Sequence, residues 1–282
     1  MWRLADWRYS VAERSGFIHE CLDLGITTFD HADIYGDYTC EALLGEALKS
    51  EDGLRERIQL VTKCGIKLVS GNNPATETQH YDTSCEHIIQ SVEKSLFRLS
   101  TDRIDLLLLH RPDPLLDADE VAEAFKELRG AGKVLYFGVS NYTPAQFDLL
   151  QSRLPFPLVT NQVECSVLNF DVMHDGTLDH SQQLDRRPMA WSPFARGQVF
   201  TGNDDKAIWV RAALEEIGRE LDSASVDQVA LAWLLKHPSR MLPVLGTGKL
   251  ERIRSATAAE NLELTREQWF KVWQASKGHG VP

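Results

Sequence analysis

Seven short apolar runs, separated by amphipathic stretches, constrain this chain more than any other feature of it. The runs are Ile26–Phe29, Ile58–Thr62, Ile104–Leu109, Val134–Val139, Leu158–Thr160, Met189–Trp191 and Met241–Leu245. They are too short for helices, are rich in β-branched or large side chains, and lack polar alternation. Parallel strands buried on both faces have this pattern. Helix signals lie between them. Asp82–Leu99 carries Ile88, Ile89, Val92, Leu96 and Leu99 at helical spacing. Asp117–Arg129 runs into Gly130 and Gly132, which can close a helix. Thr143–Pro144 opens another with proline at the first helical position, and Ser225–His237 stops at Pro238. Strand and helix in alternation imply a parallel sheet. A chain of 282 residues with no linker and no low-complexity stretch suits a single domain over residues 1–282.

Two architectures fit such alternation, the closed barrel and the open doubly wound sheet. The ends of the strands favour the barrel, in which chemistry collects where strands end and βα loops begin. Almost every apolar run ends in polar residues: Asp30, then Lys63, His110, Ser140–Asn141, Gln162, Ser192 and Gly246–Thr247. A series of this kind suggests one pocket ringed by strand ends. No G-x-G-x-x-G follows any strand, which counts against a dinucleotide-binding open sheet. The expected fold is therefore an α/β, parallel (β/α)8 TIM barrel. Met1–Tyr9 offers no strand run of its own, so the expectation is seven core strands, without the first strand and N-terminal hairpin. A gap in a closed barrel leaves unpaired strand edges, and on that ground a truly truncated chain is expected to be poorly stable and prone to aggregate. Restoring upstream residues would then raise the melting temperature.

Four residues near successive strand ends suggest proton transfer. A tyrosine phenol has a reference pKa of about 10 and is a reluctant acid at neutral pH. A nearby cation favours its ionised form. Lys63 can supply that cation and Asp30 can orient it. Tyr35 can then protonate a carbonyl oxygen as hydride reaches the carbon, and His110 can hydrogen-bond that oxygen. Acid–base help of this kind is typically worth roughly 10²–10⁴-fold. Each residue taken alone has a structural alternative: a turn cap for Asp30, a rim position for Lys63, a structural histidine for His110. The four occurring together, each at or just past a successive strand end, point to catalysis.

The run Phe29-Asp30-His31-Ala32-Asp33-Ile34-Tyr35-Gly36 resembles the aldo-keto reductase signature, in which Asp is followed five residues later by Tyr. Val61-Thr62-Lys63-Cys64 resembles that family's lysine strand, and Asp105–Pro112 its histidine strand. The resemblance runs in order over about residues 2 to 282, and the closing stretch Leu264–Pro282, with TREQWFKVW, is similar to the bacterial YdhF-type branch. It implies an NADP-dependent oxidoreductase reducing aldehydes or ketones, with Tyr35, Asp30, Lys63 and His110 catalytic. It implies NADPH/NADP+ as cofactor, with Ser140, Asn141 and Gln162 at the nicotinamide carboxamide and Trp191 stacked on the ring. Ser192, Pro193, Phe194 and Arg196 would form a phosphate loop, and Gly246, Thr247, Lys249 and Arg252 the adenosine-phosphate loop. Lys249 and Arg252 there would pair with a 2′-phosphate, and Trp2 would line the substrate pocket. The chain departs from the pattern at Ala256, where many members place an Asn for adenine. The loop Ala195–Lys206 is short, which implies a loosely clamped cofactor.

Composition narrows the partners. A net charge of -11 leaves no basic face for nucleic acid. No apolar run approaches the roughly 18–20 residues that span a bilayer, and the five cysteines are scattered without a CxxC pair, as in a reducing cytoplasm. The expected partner is a small carbonyl substrate, and the expected state a cytoplasmic monomer or weak homo-oligomer. Two other functions compete. One is a cofactor-binding regulatory protein on the same fold. The other is a metal hydrolase using His31, Asp33 and His110; only His110 among the histidines sits squarely at a strand end, so no metal is expected.

Overall fold

The computed structural model describes all 282 residues. The chain forms two compact units, Met1–Asn161 with Gly246–Leu250 and Gln162–Leu245 with Glu251–Pro282. Seven parallel strands follow one another in chain order, as the apolar runs require.

The first unit carries strands β1 (Thr28–Asp30), β2 (Gln59–Cys64), β3 (Ile104–Leu109) and β4 (Val134–Ser140), and β5 (Leu158–Glu164) crosses into the second. Register is parallel throughout: Asp30 pairs with Val61, Lys63 with Leu108, and Leu108 with Gly138. Gly138 has no substitute in that ladder, since a Cβ there would stand 2.7 Å from both Leu108 Cδ2 and the Thr160 carbonyl oxygen. Helices α1 (Val11–Asp23), α2 (Cys40–Lys49), α3 (Cys85–Leu99), α4 (Ala118–Gly130) and α5 (Pro144–Gln151) belong to the same unit, as does a small antiparallel pair of Ile66–Lys67 with His80–Tyr81. Their starts follow local chemistry. Ser84 caps α3 by accepting from the His87 amide, and Asp117 caps α4 by accepting from Asp119 and Glu120. Thr143 and Gln146 form a capping box on α5, behind Pro144. Phe125 of α4 stacks on Phe137 of β4 with ring centroids 4.2 Å apart, sealing helix to sheet.

In the second unit β5 pairs with β6 (Met189–Trp191), which pairs with β7 (Leu242–Pro243). Helices α6 (Asp205–Glu220), α7 (Val226–Leu235) and α8 (Arg266–Lys277) pack around a core that includes Val163, Phe170, Leu214 and Trp233. Trp233 and Trp269 lie face to face, 4.7 Å apart, and each indole N–H donates to the other's backbone carbonyl.

Two strands are shorter than the apolar runs suggest. Ile26 is taken by the end of α1, its amide donating to the Cys21 carbonyl after Gly25 turns at a positive φ of 79°. The last run, Met241–Leu245, keeps only two ladder residues, one of them Pro243, which has no N–H to donate.

Candidate active site

The site is built where β1, β2 and β3 end. Three backbone bonds join those ends. The His31 amide donates to the Val61 carbonyl, the Asp33 amide to the Lys63 carbonyl at 3.0 Å, and the His110 amide to the Cys64 carbonyl at 2.9 Å. The polar side chains that follow the apolar runs are thereby brought to one level.

Lys63 is the centre of the cluster. Its ammonium donates to both Asp30 carboxylate oxygens at 2.8 and 2.7 Å, to the His31 carbonyl at 2.7 Å and to the Tyr35 hydroxyl at 3.3 Å. The residue is 1% exposed, and burial by itself disfavours the charged form. The Asp30 carboxylate and the Tyr35 oxygen outweigh it, so the Lys63 pKa is raised and the ammonium persists. His110 presents its ring edge to Tyr35, with ring centroids 5.8 Å apart at 77°. Burial, helped by the Lys63 and Arg111 charges, holds His110 well below the usual imidazole range, and its Nδ1 has no hydrogen-bond partner. His110 is thus a neutral imidazole with bonding capacity to spare.

One sequence expectation changes sign. Lys63 does favour ionised Tyr35, but burial of the half-buried phenol outweighs it and the Tyr35 pKa is raised. Tyr35 keeps its proton at neutral pH, with the ammonium ready to stabilise phenolate once that proton leaves. The turn that carries it is unusual. Gly36, Asp37 and Tyr38 all have left-handed backbone, with φ of 58°, 54° and 66°. Asn72 holds this conformation by donating to the Asp37 carbonyl at 2.9 Å, and the Tyr38 hydroxyl accepts from the Leu68 amide at 2.8 Å.

A model of the aldo/keto reductase family matches residues 1–277. The chain belongs to the aldo/keto reductase family. Among its relatives is oxidoreductase YdhF of Escherichia coli, 54% identical over 100% of this chain and 93% of that protein. An uncharacterized oxidoreductase, YcsN of Bacillus subtilis, is 53% identical over 100% of this chain and 94% of that one. A 6-dehydroglucose reductase of Agrobacterium fabrum is 46% identical with the same coverage, 100% and 94%. Of solved structures, the thermostable aldo-keto reductase Tm1743 in complex with the inhibitor epalrestat superposes with a TM-score of 0.78 at 27% identity, covering 95% of this chain and 87% of that one. The glycerol dehydrogenase AKR11B4 from Gluconobacter oxydans gives 0.82 at 24% identity over 95% and 85%, a likeness of fold. The seven parallel strands and their helices are those of the aldo/keto reductase TIM-barrel fold.

In this aldo/keto reductase the residues expected at the cofactor are divided between the two units, with Ser140 and Trp191 closing strands, Gln162 within one and Arg252 in the helix Leu250–Ala258. In the first unit Ser140 closes β4, and Asn141, with a left-handed φ of 61°, donates from its amide to the Ser140 hydroxyl at 2.8 Å. Gly246, Thr247 and Lys249 also lie here. Thr247 Oγ1 accepts from the Lys249 amide at 3.2 Å, and the Lys249 side chain is exposed with no acidic partner. Trp2, 48% exposed, stands against Gly246 and under the Arg3 guanidinium, which is 4.3 Å from its ring centre. In the second unit Gln162 lies in β5 and its amide reaches the Met189 sulfur, while Trp191 closes β6. Ser192 and Arg196 have left-handed backbone, φ of 53° and 55°, on either side of Pro193 and Phe194. Arg252 is exposed and without an acidic partner.

Beside the cluster are groups that sequence reasoning did not tie to the reaction. Asp33 enters it only as a possible metal ligand and Glu41 not at all, yet both are buried within eight residues of Tyr35. The available signal is the spacing of Asp30, Asp33 and Glu41 around Tyr35. His31, fully buried with both ring nitrogens unpartnered, is held neutral by burial.

Proposed function

We propose that this oxidoreductase reduces aldehydes or ketones with NADPH, in the cytoplasm, and that Tyr35 supplies the proton. When bound, the nicotinamide supplies a hydride to the carbonyl carbon. The observation that carries the reading is the Lys63 ammonium bonded at once to Asp30 and to the Tyr35 hydroxyl. Tyr35 gives its proton to the carbonyl oxygen, and the phenolate left behind is met by a cation 3.3 Å away. Asp30 keeps that cation in place, and neutral His110 orients the oxygen by hydrogen bonding. The donors fit such a cofactor: Ser140 and Asn141 offer neutral amide and hydroxyl groups for a carboxamide, and exposed Lys249 is an unpaired cation for a phosphate. The roles of Gln162, Trp191, Ser192, Pro193, Phe194, Arg196, Gly246, Thr247 and Arg252 at the cofactor, and of Trp2 at the substrate, are carried over from the family resemblance. All five cysteines are unpaired, in keeping with a reducing compartment.

Purified protein is expected to oxidise NADPH steadily with 4-nitrobenzaldehyde, and a keto-sugar is the second probe, chosen from the relative named 6-dehydroglucose reductase. Tyr35→Phe should lose at least ~10²-fold in kcat while still quenching on NADPH binding in a fluorescence titration. A Tyr35→Phe enzyme as active as the parent refutes the assignment. A parent that binds NADPH and turns over neither probe points instead to a regulatory cofactor-binding role.

A further inference from the structure

Behind the turn that carries Tyr35, two carboxyl groups are buried where one negative charge is already costly. Asp33 is 5% exposed and Glu41 1% exposed. Each has one oxygen in a hydrogen bond and one without, although Arg98 and Ser95 lie beside Glu41 and favour its charged form. Asp33 Oδ2 accepts from the Ser91 hydroxyl at 2.8 Å, and Glu41 Oε1 accepts from the Thr62 hydroxyl at 2.6 Å. Asp33 Oδ1 and Glu41 Oε2 are buried with no hydrogen-bond partner. An ionised carboxylate has about four lone-pair sites to fill, whereas a protonated one asks for less and avoids the charge.

The partners of the two groups converge on the reacting residues. Asp33 lies two positions before Tyr35, and its amide donates to the carbonyl of Lys63. Glu41, on α2, is bonded to Thr62, the neighbour of Lys63 on β2. Ser91 belongs to α3, which is thereby tied to the same turn. The charged and titratable groups facing the pair are few. From α3 comes Arg98, whose guanidinium is 3.8 Å from Glu41 Oε2. From β2 come Lys63, already committed to Asp30, and Cys64, whose thiol burial and the two acids hold well above its usual range. One guanidinium at that distance does not neutralise two carboxylates.

We propose that Asp33 and Glu41 act as one buried carboxyl pair that carries a single proton and, in that state, positions the turn bearing Tyr35 against the strand bearing Lys63. The role rests on the reading of Tyr35 and Lys63 as the proton-donating pair. Burial, with Glu41 adding to it, pushes Asp33 up to about 7, and Glu41 is raised as well. Loss of the shared proton puts two like charges side by side. The Asp33–Ser91 and Glu41–Thr62 contacts then separate to admit water, and Tyr35 loses its alignment with Lys63.

The test is the pH profile of carbonyl reduction for the parent, Asp33→Asn and Glu41→Gln, alongside carbon NMR of protein labelled at the Asp carboxyl. The parent kcat is expected to fall as pH rises through about 7, with the KM for NADPH nearly constant. In Asp33→Asn, which cannot ionise, that limb should disappear or move up by at least about one pH unit. One Asp carboxyl of the parent should titrate near 7 and be missing from Asp33→Asn. Removing the Glu41 charge should bring the Asp33 midpoint down toward the ordinary carboxylate range, a readout that survives if Asp33→Asn fails to fold. An unchanged profile in both variants, or no Asp carboxyl titrating above the ordinary range, overturns the proposal. The NMR arm needs no turnover. A parent inactive toward carbonyls that still shows the raised carboxyl refutes the functional reading and the positioning role, and leaves the pair as a structural feature alone.

Discussion

At the scale of single residues, Lys63 and Asp30 form one buried ion pair. Lys63 has no exposed side-chain surface and every one of its bonds is internal. Removing either partner leaves the other charge buried without its counter-charge, a situation that costs about 3–5 kcal/mol, whereas replacing a whole buried pair by apolar residues is often neutral. Asp30→Ala and Lys63→Met are therefore each expected to lose about 3–5 kcal/mol in urea unfolding, and the double variant much less than their sum, although all three should lose reductase activity. Strictly additive destabilisation in the double variant would contradict that coupling. The four clustered residues were legible in the sequence because each stands at or just past a strand end, where periodicity gives way to a polar residue. The direction of the Tyr35 shift was not, because it depends on how far the phenol is buried. Burial of that kind is decided by tertiary packing.

At the scale of elements, α2 and α3 approach so closely that only glycine fits between them. A Cβ on Gly45 would lie 2.0 Å from the Arg98 carbonyl oxygen and 2.8 Å from the Leu99 carbonyl carbon, both backbone atoms. Gly45→Ala, favourable on helix propensity alone, should instead destabilise by at least ~1–3 kcal/mol, measurable as a lower midpoint in urea. A stabilised Gly45→Ala would show that the helices can part freely. The helices themselves were readable from spacing and caps: Ser84, Asp117 and Thr143 each accept the amide bonds expected of them. The left-handed run Gly36–Asp37–Tyr38 was not readable, since Asp37 and Tyr38 carry side chains that resist that conformation. It is imposed by Asn72 and by the bond to the Tyr38 hydroxyl, contacts made about 30 residues away in sequence.

At the scale of the molecule, buried titratable groups of opposite sign set how stability follows pH. Asp33 has a folded pKa raised above its unfolded value, so its contribution is full below the unfolded pKa and is lost as pH rises through about 7. His31 and His110 have folded values pushed well below the ordinary one by burial, so they oppose it: stability falls as pH drops below roughly 6.5, where the unfolded imidazoles take up protons. Between about pH 4 and 6.5 the two effects offset each other. Asp33→Asn removes the carboxyl contribution only. Relative to the parent it should gain roughly 1.4 kcal/mol per pH unit over that window at most, levelling off above 7. Urea midpoints at pH 5 and 7 check this, and a constant difference between the two proteins would refute it. The seven-strand frame was legible because buried strands are written as continuous apolar runs, whereas these buried charges take their energies from neighbours distant in the chain.

A lysine amid carbonyl compounds has an obvious chemical hazard, condensation to an imine. Lys63 is shielded from it: an ammonium with three protons points them at Asp30, the His31 carbonyl and Tyr35, and so has no lone pair to attack with. The same contacts that stabilise the cation beside a phenol also keep it from becoming a nucleophile, so borohydride added with an aldehyde should leave Lys63 unalkylated while exposed amines such as Lys249 are modified.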